Sequence, residues 1–516
     1  MSWEKEIKRI KKREKNALKQ GGSDAIKFQH KKGRKTIRER INYILDNNSF
    51  DEIGKIAGSN NGTDDDFVPS NFILGFGKIN NRNIIIGGED FTLKGGSPNP
   101  AGLRKSIYTE ELALKYKIPL IRLHEGGGGS VTGSGGSADR PKTPNSEPVY
   151  ARNRFQALAE CLGIVPVATA ALGPVAGLPA ARLVASHFSV MTKNSQILIA
   201  GPAVVKRALG IEVSKEELGG PDVHLRSGVV DNIAEDEEDA LDQIQNFLSF
   251  LPDNYLQEPP SIKSIDKINR KEKLLSSIIP RNRRKPYDMR KLLNLIVDNK
   301  SFFEMSKLYG QSLITGLARL NGHTVGIIAN DCMFYAGAMT ANAAIKLRRF
   351  IDFINTFNIP VLSFVDEPGF MIGPDSERSG TIRHGTSAIS CLMQSKVPWA
   401  SIIVRKLYGV AGAAHFAPDS YVLSWPSAES GALPVEGGVA IAFKKEIESS
   451  TNPEQKRKEL EELLSSRSSP FPRSENFSVH ELIDPIETRP KLINWLDLEI
   501  KTRKLSRNKY LKTMLP

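Results

Sequence analysis

Two short stretches carry the reading: Leu172-Gly173-Pro174-Val175-Ala176-Gly177-Leu178 and Leu407-Tyr408-Gly409-Val410-Ala411-Gly412. In each, an apolar run of strand type ends in a glycine turn, and a small-residue segment of helical type begins at once. Gly177 and Gly409 are 232 residues apart, and Pro166 and Pro202 recur at that interval as Pro398 and Pro434. Nearer the N-terminus the interval is 241: Asn80, Asp90, Gly96 and Pro119 recur as Asn321, Asp331, Gly337 and Pro360. Nine extra residues in the first half account for the change, and the Gly/Ser/Pro-rich loop from Gly126 to Pro148 can hold them. A repeat this long is a duplicated domain, not a solenoid. The chain therefore reads as two copies of one unit, with a site expected between equivalent faces.

The surrounding pattern is α/β. Short apolar runs at residues 75–86, 118–123, 165–172 and 196–200 alternate with helical segments at 109–117 and 149–162, with Gly87-Gly88 as a turn. The second half repeats this, with strands at 324–329, 361–365 and 399–404, helices at 341–357 and 387–394, and a further helix from Ala411. Such alternation implies layered sheets with largely parallel pairing. A length of 516 residues exceeds one core and suits two domains. The expected division is a basic helical arm at 1–40, a first domain at 41–255, a linker at 256–287 and a second domain at 288–516. The linker is marked by Pro259-Pro260 and the basic run Arg281-Asn282-Arg283-Arg284-Lys285.

Charge and cysteine usage narrow the class. Residues 1–40 hold fifteen Lys/Arg and five Asp/Glu, most of the chain's net +13. Glu4, Glu6 and Glu14 interleave with the lysines as on a solvated helix. An anionic ligand such as coenzyme A is the next reading, and nucleic acid the third, since interleaved aromatics are nearly absent. Cys161, Cys332 and Cys391 are far apart and form no C-x-x-C pair, which fits a reducing cytoplasm and no structural metal. Cys161 to Ala181 carries no charge over 21 residues, but Pro166, Pro174 and Pro179 would break a spanning helix. No membrane partner is expected.

Familiar nucleophile and metal patterns are missing: no G-x-S-x-G elbow, no H-E-x-x-H, no G-x-x-x-x-G-K-[ST] loop. His384 and His415 stand near glycine-rich turns, where a lone histidine is more often structural. The glycine turns themselves remain. The first N–H groups of a helix have no internal partner and can hold an anion or oxyanion without a charged side chain. One such turn is more often a packing device; two at equivalent positions of a duplicated chain favour function. Gly126 to Gly136, with seven glycines, reads as a flexible lid or a phosphate cradle.

In order along the chain, these residues resemble the carboxyltransferase (β) subunit of biotin-dependent acyl-CoA carboxylases, from about residue 15 to about 500. The matching segments are Gln29-His30, Thr36-Ile37-Arg38-Glu39-Arg40-Ile41, Leu45-Asp46-Asn47-Asn48-Ser49-Phe50, Gly201-Pro202-Ala203-Val204-Val205-Lys206 and Glu216-Glu217-Leu218-Gly219-Gly220. Pro368-Gly369-Phe370, Ile382-Arg383-His384-Gly385, Arg405-Lys406-Leu407-Tyr408-Gly409 and Trp425-Pro426 follow.

The resemblance implies an α/β fold of two tandem crotonase-like ββα-superhelix domains related by internal duplication. It further implies a homohexamer, a trimer of dimers, with each site between the N-domain of one subunit and the C-domain of another. The implied reaction moves a carboxyl group from carboxybiotin to the α (or vinylogous) carbon of an acyl-CoA, with no side-chain base required. Gly177 and Leu178 would serve the thioester carbonyl, and Val410 and Ala411 the biotin carbonyl. Gly127, Gly128, Gly369, Phe370, His384 and Ala413 would contact substrate. No biotin attachment site or ATP-binding domain is visible, so biotin would arrive on a separate carrier. A partner biotin carboxylase would use the ATP and bicarbonate. A decarboxylase running the same site backward is the alternative within the family; a non-catalytic assembly subunit or a nucleic-acid-binding relative is the alternative outside it. Three departures stand out. Leu178 and Val410 replace usual glycines, Glu125-Gly126-Gly127-Gly128-Gly129-Ser130 replaces a common Asp-Ser-Gly-Gly-Ala-Arg, and Ala413 stands where propionyl-type enzymes carry Asp.

Overall fold

A computed structural model of the chain describes residues 2–59, 64, 67–129 and 153–502. The larger part of the loop from Gly126 to Pro148 lies outside the described residues. The chain divides into two compact units, the first ending at Tyr255 and the second beginning at Leu256.

In the first unit the basic arm forms the helix Glu4–Leu18, whose Arg9 and Arg13 pair with Asp64, and the helix Ser23–Lys31. The next helix, Ile37–Ile44, opens with a capping box in which Thr36 Oγ1 and Glu39 exchange hydrogen bonds with each other's backbone. Ile37, Ile41 and Ile44 fall on one face at helical spacing and are buried.

The sheet starts with an antiparallel hairpin, Phe72–Ile79 and Arg82–Glu89, turning at Asn80 (φ 51) and Asn81 (φ 64). Two consecutive left-handed residues make the turn that twists with the strands, and asparagine tolerates that region. Asp46 fixes it by accepting the Asn80 and Asn81 N–H groups at 2.9 and 2.8 Å. Residues 75–86 are thus two strands, not one, and Gly87-Gly88 stays inside the sheet rather than forming the expected turn. A Cβ on Gly88 would lie 2.4 Å from the Leu123 carbonyl oxygen, so these glycines serve close packing. The second unit repeats the device: Leu313–Leu320 and His323–Asn330 turn at Asn321-Gly322, whose N–H groups Asp298 accepts at 3.0 and 2.7 Å.

Both sheets then continue in parallel. In unit one Leu120–Gly126, Val167–Ala176, Phe188–Thr192 and Asn232–Ala234 follow the hairpin in that order. In unit two the order is Val361–Glu367, Trp399–Tyr408, Tyr421–Ser424 and Glu481–Leu482. Crossover helices Pro100–Tyr116 and Ala341–Thr356 connect hairpin to parallel strands, capped by Asn99 and Thr340. The first is longer than the expected 109–117 because Pro at its first position and the Asn cap start it nine residues earlier. Every residue of Leu120–Gly126 and of Val361–Glu367 is buried, as central parallel strands require. The segment from Cys161 to Ala181 ends one helix, makes the strand Val167–Ala176 and starts another helix; among the described residues no helix is long and apolar enough to cross a membrane.

Residues 256–287 pack onto the second unit. Leu275 and Tyr287 join the core formed by Leu292, Ile327, Phe364 and Trp425, and Arg270 donates to the Leu295 and Val297 carbonyls.

Candidate active site

In unit one the strands Leu120–Gly126 and Val167–Ala176 slip in register between His124 and Gly126. Past that irregularity Pro174, Val175 and Ala176 pair with the short strand Gln196–Leu198, which carries the chain out of the main sheet. Gly177 (φ 66, ψ −127) makes the corner, and the helix Leu178–Val184 starts immediately, with Pro179 in its first turn. The Gly177 N–H is engaged by the Leu198 carbonyl at 3.3 Å, so Gly177 supplies the corner more than a donor. The Leu178 N–H has no acceptor among the described residues.

Gly127 and Gly128 are brought to this corner. The Gly127 N–H donates to Gly95 at 3.1 Å, and a Cβ on Gly128 would sit 2.9 Å from Gly177 Cα. Only a glycine at 128 lets the two backbones approach so closely. Beside the corner lies a cavity of about 260 Å3, lined among others by Asn71, Glu89, Gly96, Gly128, Leu178 and Arg182.

Unit two builds the same corner. The register slips between Val365 and Glu367, and Lys406, Leu407 and Tyr408 pair with Glu429–Gly431. Gly409 (φ 64, ψ −166) turns the chain into a short 3-10 helix, Val410–His415, where an α-type helix was expected from Ala411. Gly409 donates to Gly431 at 3.2 Å, as Gly177 does to Leu198. The Val410 and Ala411 N–H groups have no acceptor among the described residues. Val410 and Ala413 are exposed, whereas Ala411 is fully buried. Gly369 (φ 125) lies next to the corner: a Cβ there would be 3.9 Å from the Tyr408 carbonyl oxygen. Phe370 presses its ring on Gly385 in the helix Thr381–Leu392, and His384 of that helix faces Gly380. Gly369 and the 409–411 corner therefore adjoin directly, while Phe370 packs on the helix that carries His384.

Under each corner sits a buried polar network that motif reading missed. Asp366 accepts from Arg405 at 2.8 Å and from the Tyr287 hydroxyl at 3.1 Å. Burial works against the Arg405 charge, but Asp366 outweighs it and holds the guanidinium above its ordinary value; burial and Asp366 together push the Tyr287 phenol well up. Glu367 accepts from Gly369 N–H and Asn330 at 3.0 Å each, and its Oε2 is 3.4 Å from His415 Nε2. His415 Nδ1 in turn meets Ser363 Oγ at 3.0 Å. In unit one Glu125 stands where Asp366 does and receives Arg40 and Gln29 at 2.6 Å. Glu89 meets His124 Nδ1 at 3.1 Å. Burial pushes the His124 imidazole below its ordinary value despite Glu89, while Glu89 is held low against its own burial by His124. Those directions cannot both rest on a charged imidazole. A neutral ring donating Nδ1–H to an ionised carboxylate satisfies both groups with one buried charge instead of two, and that state is favoured. A sequence signal existed: an acid directly ending a buried apolar strand, at Glu89, Glu125 and Asp366-Glu367. No group of three His, Cys, Asp or Glu among the described residues is placed to hold a metal ion.

The carboxyl transferase domain family matches residues 28–514. The chain is 34% identical over 508 residues to the propionyl-CoA carboxylase carboxyltransferase subunit of Haloferax mediterranei, covering 96% of each. It is 33% identical over 485 residues to the methylmalonyl-CoA decarboxylase subunit alpha of Veillonella parvula, covering 92% of each. Among solved structures it resembles the transcarboxylase 12S hexamer with methylmalonyl-coenzyme A bound, at 30% identity and a TM-score of 0.88, over 100% of this chain and 98% of that one. The two sheets are accordingly a tandem pair of crotonase-like units.

Proposed function

This chain belongs to the carboxyl transferase family and is a carboxyltransferase subunit of the acyl-CoA carboxylase kind; we propose that its two glycine corners divide the reaction between them. The Leu178 corner, with its adjoining cavity, takes the thioester of acyl-CoA, and the Val410-Ala411 corner takes the biotin of a separate carrier. Two adjacent N–H groups with no acceptor among the described residues suit the neutral carbonyl of biotin, so the residues present fit that group. When bound, carboxylated biotin supplies the carboxyl group. The protein's own part is to hold the two carbonyl oxygens on preorganised N–H donors, which act most strongly where water is excluded.

The observation that carries this is the recurrence of the same strand, positive-φ glycine and helix start in both units, with donors at each that have no acceptor among the described residues. Partner chains would be a biotin carboxylase, which consumes ATP and bicarbonate, and a biotin carrier. The assembly would be a homohexamer, in the cytoplasm, where the three buried free thiols stay reduced. Gly127, Gly128, Gly369, Phe370, His384 and Ala413 are the substrate-contact candidates. The likeness to the Veillonella decarboxylase subunit supports a second reading, the same transfer run toward biotin.

Incubating the purified chain with a carboxylated acyl-CoA and biotinylated carrier should carboxylate the carrier without ATP. The chain alone with ATP and bicarbonate should carboxylate nothing. ATP-dependent carboxylation by the single chain would overturn the division of labour.

A further inference from the structure

We propose that Glu367 and His415 are positioning residues of the biotin corner: one buried carboxylate ties together the two backbone segments, at Gly369 and at Val410–His415, that border the place of the biotin carbonyl. The inference rests on that corner being the biotin site.

The Val410 and Ala411 donors stand on a weak element. A 3-10 helix has poorer hydrogen-bond geometry than an α-helix, and this one is six residues long. Its links are long: the Gly412 N–H meets the Gly409 carbonyl at 3.3 Å, and the Phe416 N–H meets the Ala413 carbonyl at 3.5 Å. The far end is held by His415, which is fully buried. Its carbonyl accepts from Trp399 Nε1 at 2.8 Å and from the Ser401 hydroxyl at 2.7 Å. Its ring lies between Ser363 Oγ, 3.0 Å from Nδ1, and Glu367 Oε2, 3.4 Å from Nε2. The Glu367 carboxylate also accepts from Asn330 Nδ2 and the Gly369 N–H, each at 3.0 Å. An ionised carboxylate can only accept, so the network assigns the imidazole proton to Nε2 and leaves Nδ1 to accept from the Ser363 hydroxyl. Glu367 thus reaches Gly369 through Oε1 and the 3-10 helix through Oε2.

The duplication separates this network from what the fold needs. At the positions of Glu367, His415 and Ser363 the first unit has Gly126, Leu183 and Arg122. There the Thr169 hydroxyl donates to the Leu183 carbonyl at 2.8 Å, as Ser401 does to His415. That tie from hydroxyl to carbonyl is common to both corners and anchors the chain behind each. The first corner forms with it and with an apolar Leu183, which joins the buried cluster of Ala171, Val175 and Met191. The carboxylate and imidazole are added only in the second unit, at the corner with two adjacent donors that have no acceptor among the described residues. Packed apolar side chains in place of a buried ionic pair are commonly neutral or stabilising, so stability does not account for the addition.

The test uses the full-length protein with methylmalonyl-CoA as carboxyl donor and free biotin as acceptor. It reads kcat and KM for biotin, acyl-CoA affinity by calorimetry, melting temperature and oligomeric state. His415→Leu, which copies the first unit, and the near-isosteric Glu367→Gln should each lower kcat/KM for biotin by roughly 10- to 100-fold, as small misplacements of a reacting group do. Acyl-CoA affinity should stay at the wild-type value. His415→Gln, which keeps an N–H donor for Glu367, should recover most of the loss. Unchanged kcat/KM for biotin in folded His415→Leu and Glu367→Gln proteins overturns the proposal. So does a parallel loss of acyl-CoA affinity, or unfolding of both variants, since either marks a merely structural role. No transfer to biotin by the wild type, or loss of acyl-CoA affinity alone in the variants, would instead remove the reading of the corner on which the proposal rests.

Discussion

Lys105 and Lys346 hold the same position in the two crossover helices, and both are buried. Lys346 reaches the carbonyls of Ser306, Tyr309 and Leu313 at 2.7 to 3.0 Å. Lys105 donates to the Gly54 carbonyl at 3.2 Å, and burial pulls it from 10.5 down to about 8 despite Glu52 nearby. The unfolded chain therefore holds this proton up to pH 10.5, while the native one releases it near 8. Between those values the unfolded state binds more protons, so this group makes stability rise with pH. Below pH 8 the native state carries the full cost of a buried ammonium, at about 1.4 kcal/mol per pH unit of displacement. Lys105→Met should raise the melting temperature at pH 7, and that gain should shrink by pH 10. Equal gains at both pH values would place the Lys105 charge in solvent. None of this was legible in sequence, where Lys105 is one of many lysines; its burial depends on the segment around Gly54, about fifty residues earlier. The glycine corners were legible because their turn chemistry is local. The pairing of Glu89 with His124 was not, because the two meet only across neighbouring strands.

At the scale of elements, the two corners were read correctly as strand, turn and helix start, but the second is a 3-10 turn of six residues. Its apolar composition resembles a helix start, and Phe416 ends it in extended geometry before a second turn of α-helix can form. The hairpins were half seen, since Gly87-Gly88 looks like a turn until the packing it permits is known. Ala413 lies on the exposed side of the 3-10 helix, two residues past Ala411, with no ionisable side chain in that helix except His415, which is buried. Ala413→Asp adds bulk and charge there. Differences of a methylene in an apolar acyl site are worth about 1 to 3 kcal/mol, so on the proposal that residue 413 contacts the acyl group preference should shift toward short acyl groups by roughly ten-fold or more. Comparing kcat/KM for acetyl-, propionyl- and longer acyl-CoA in both proteins decides it; unchanged ratios would show that residue 413 does not line the acyl site.

For the molecule as a whole, the duplication extends further than the proline and glycine markers showed. Arg290 pairs with Glu304 at 2.6 Å as Arg38 pairs with Glu52 at 2.8 Å, each partner moved by a common interval of 252 residues. Ion pairs carry no turn signal, so this third interval appears only once the units are compared in space. The copies have nonetheless diverged where chemistry is expected. Pro179 stands in the first corner where Ala411 stands in the second, leaving the first with one donor fewer. Ala411→Pro therefore copies a residue that the first unit already accommodates at the equivalent position, and it deletes one N–H from the proposed biotin corner alone. The decisive measurement is biotin-dependent carboxyl transfer by this variant, with acyl-CoA affinity and oligomeric state measured alongside. Transfer should fall about 100- to 1000-fold while acyl-CoA affinity stays at the wild-type level. A folded Ala411→Pro protein of unchanged oligomeric state that transfers carboxyl groups at near the wild-type rate would contradict the assignment of the corners.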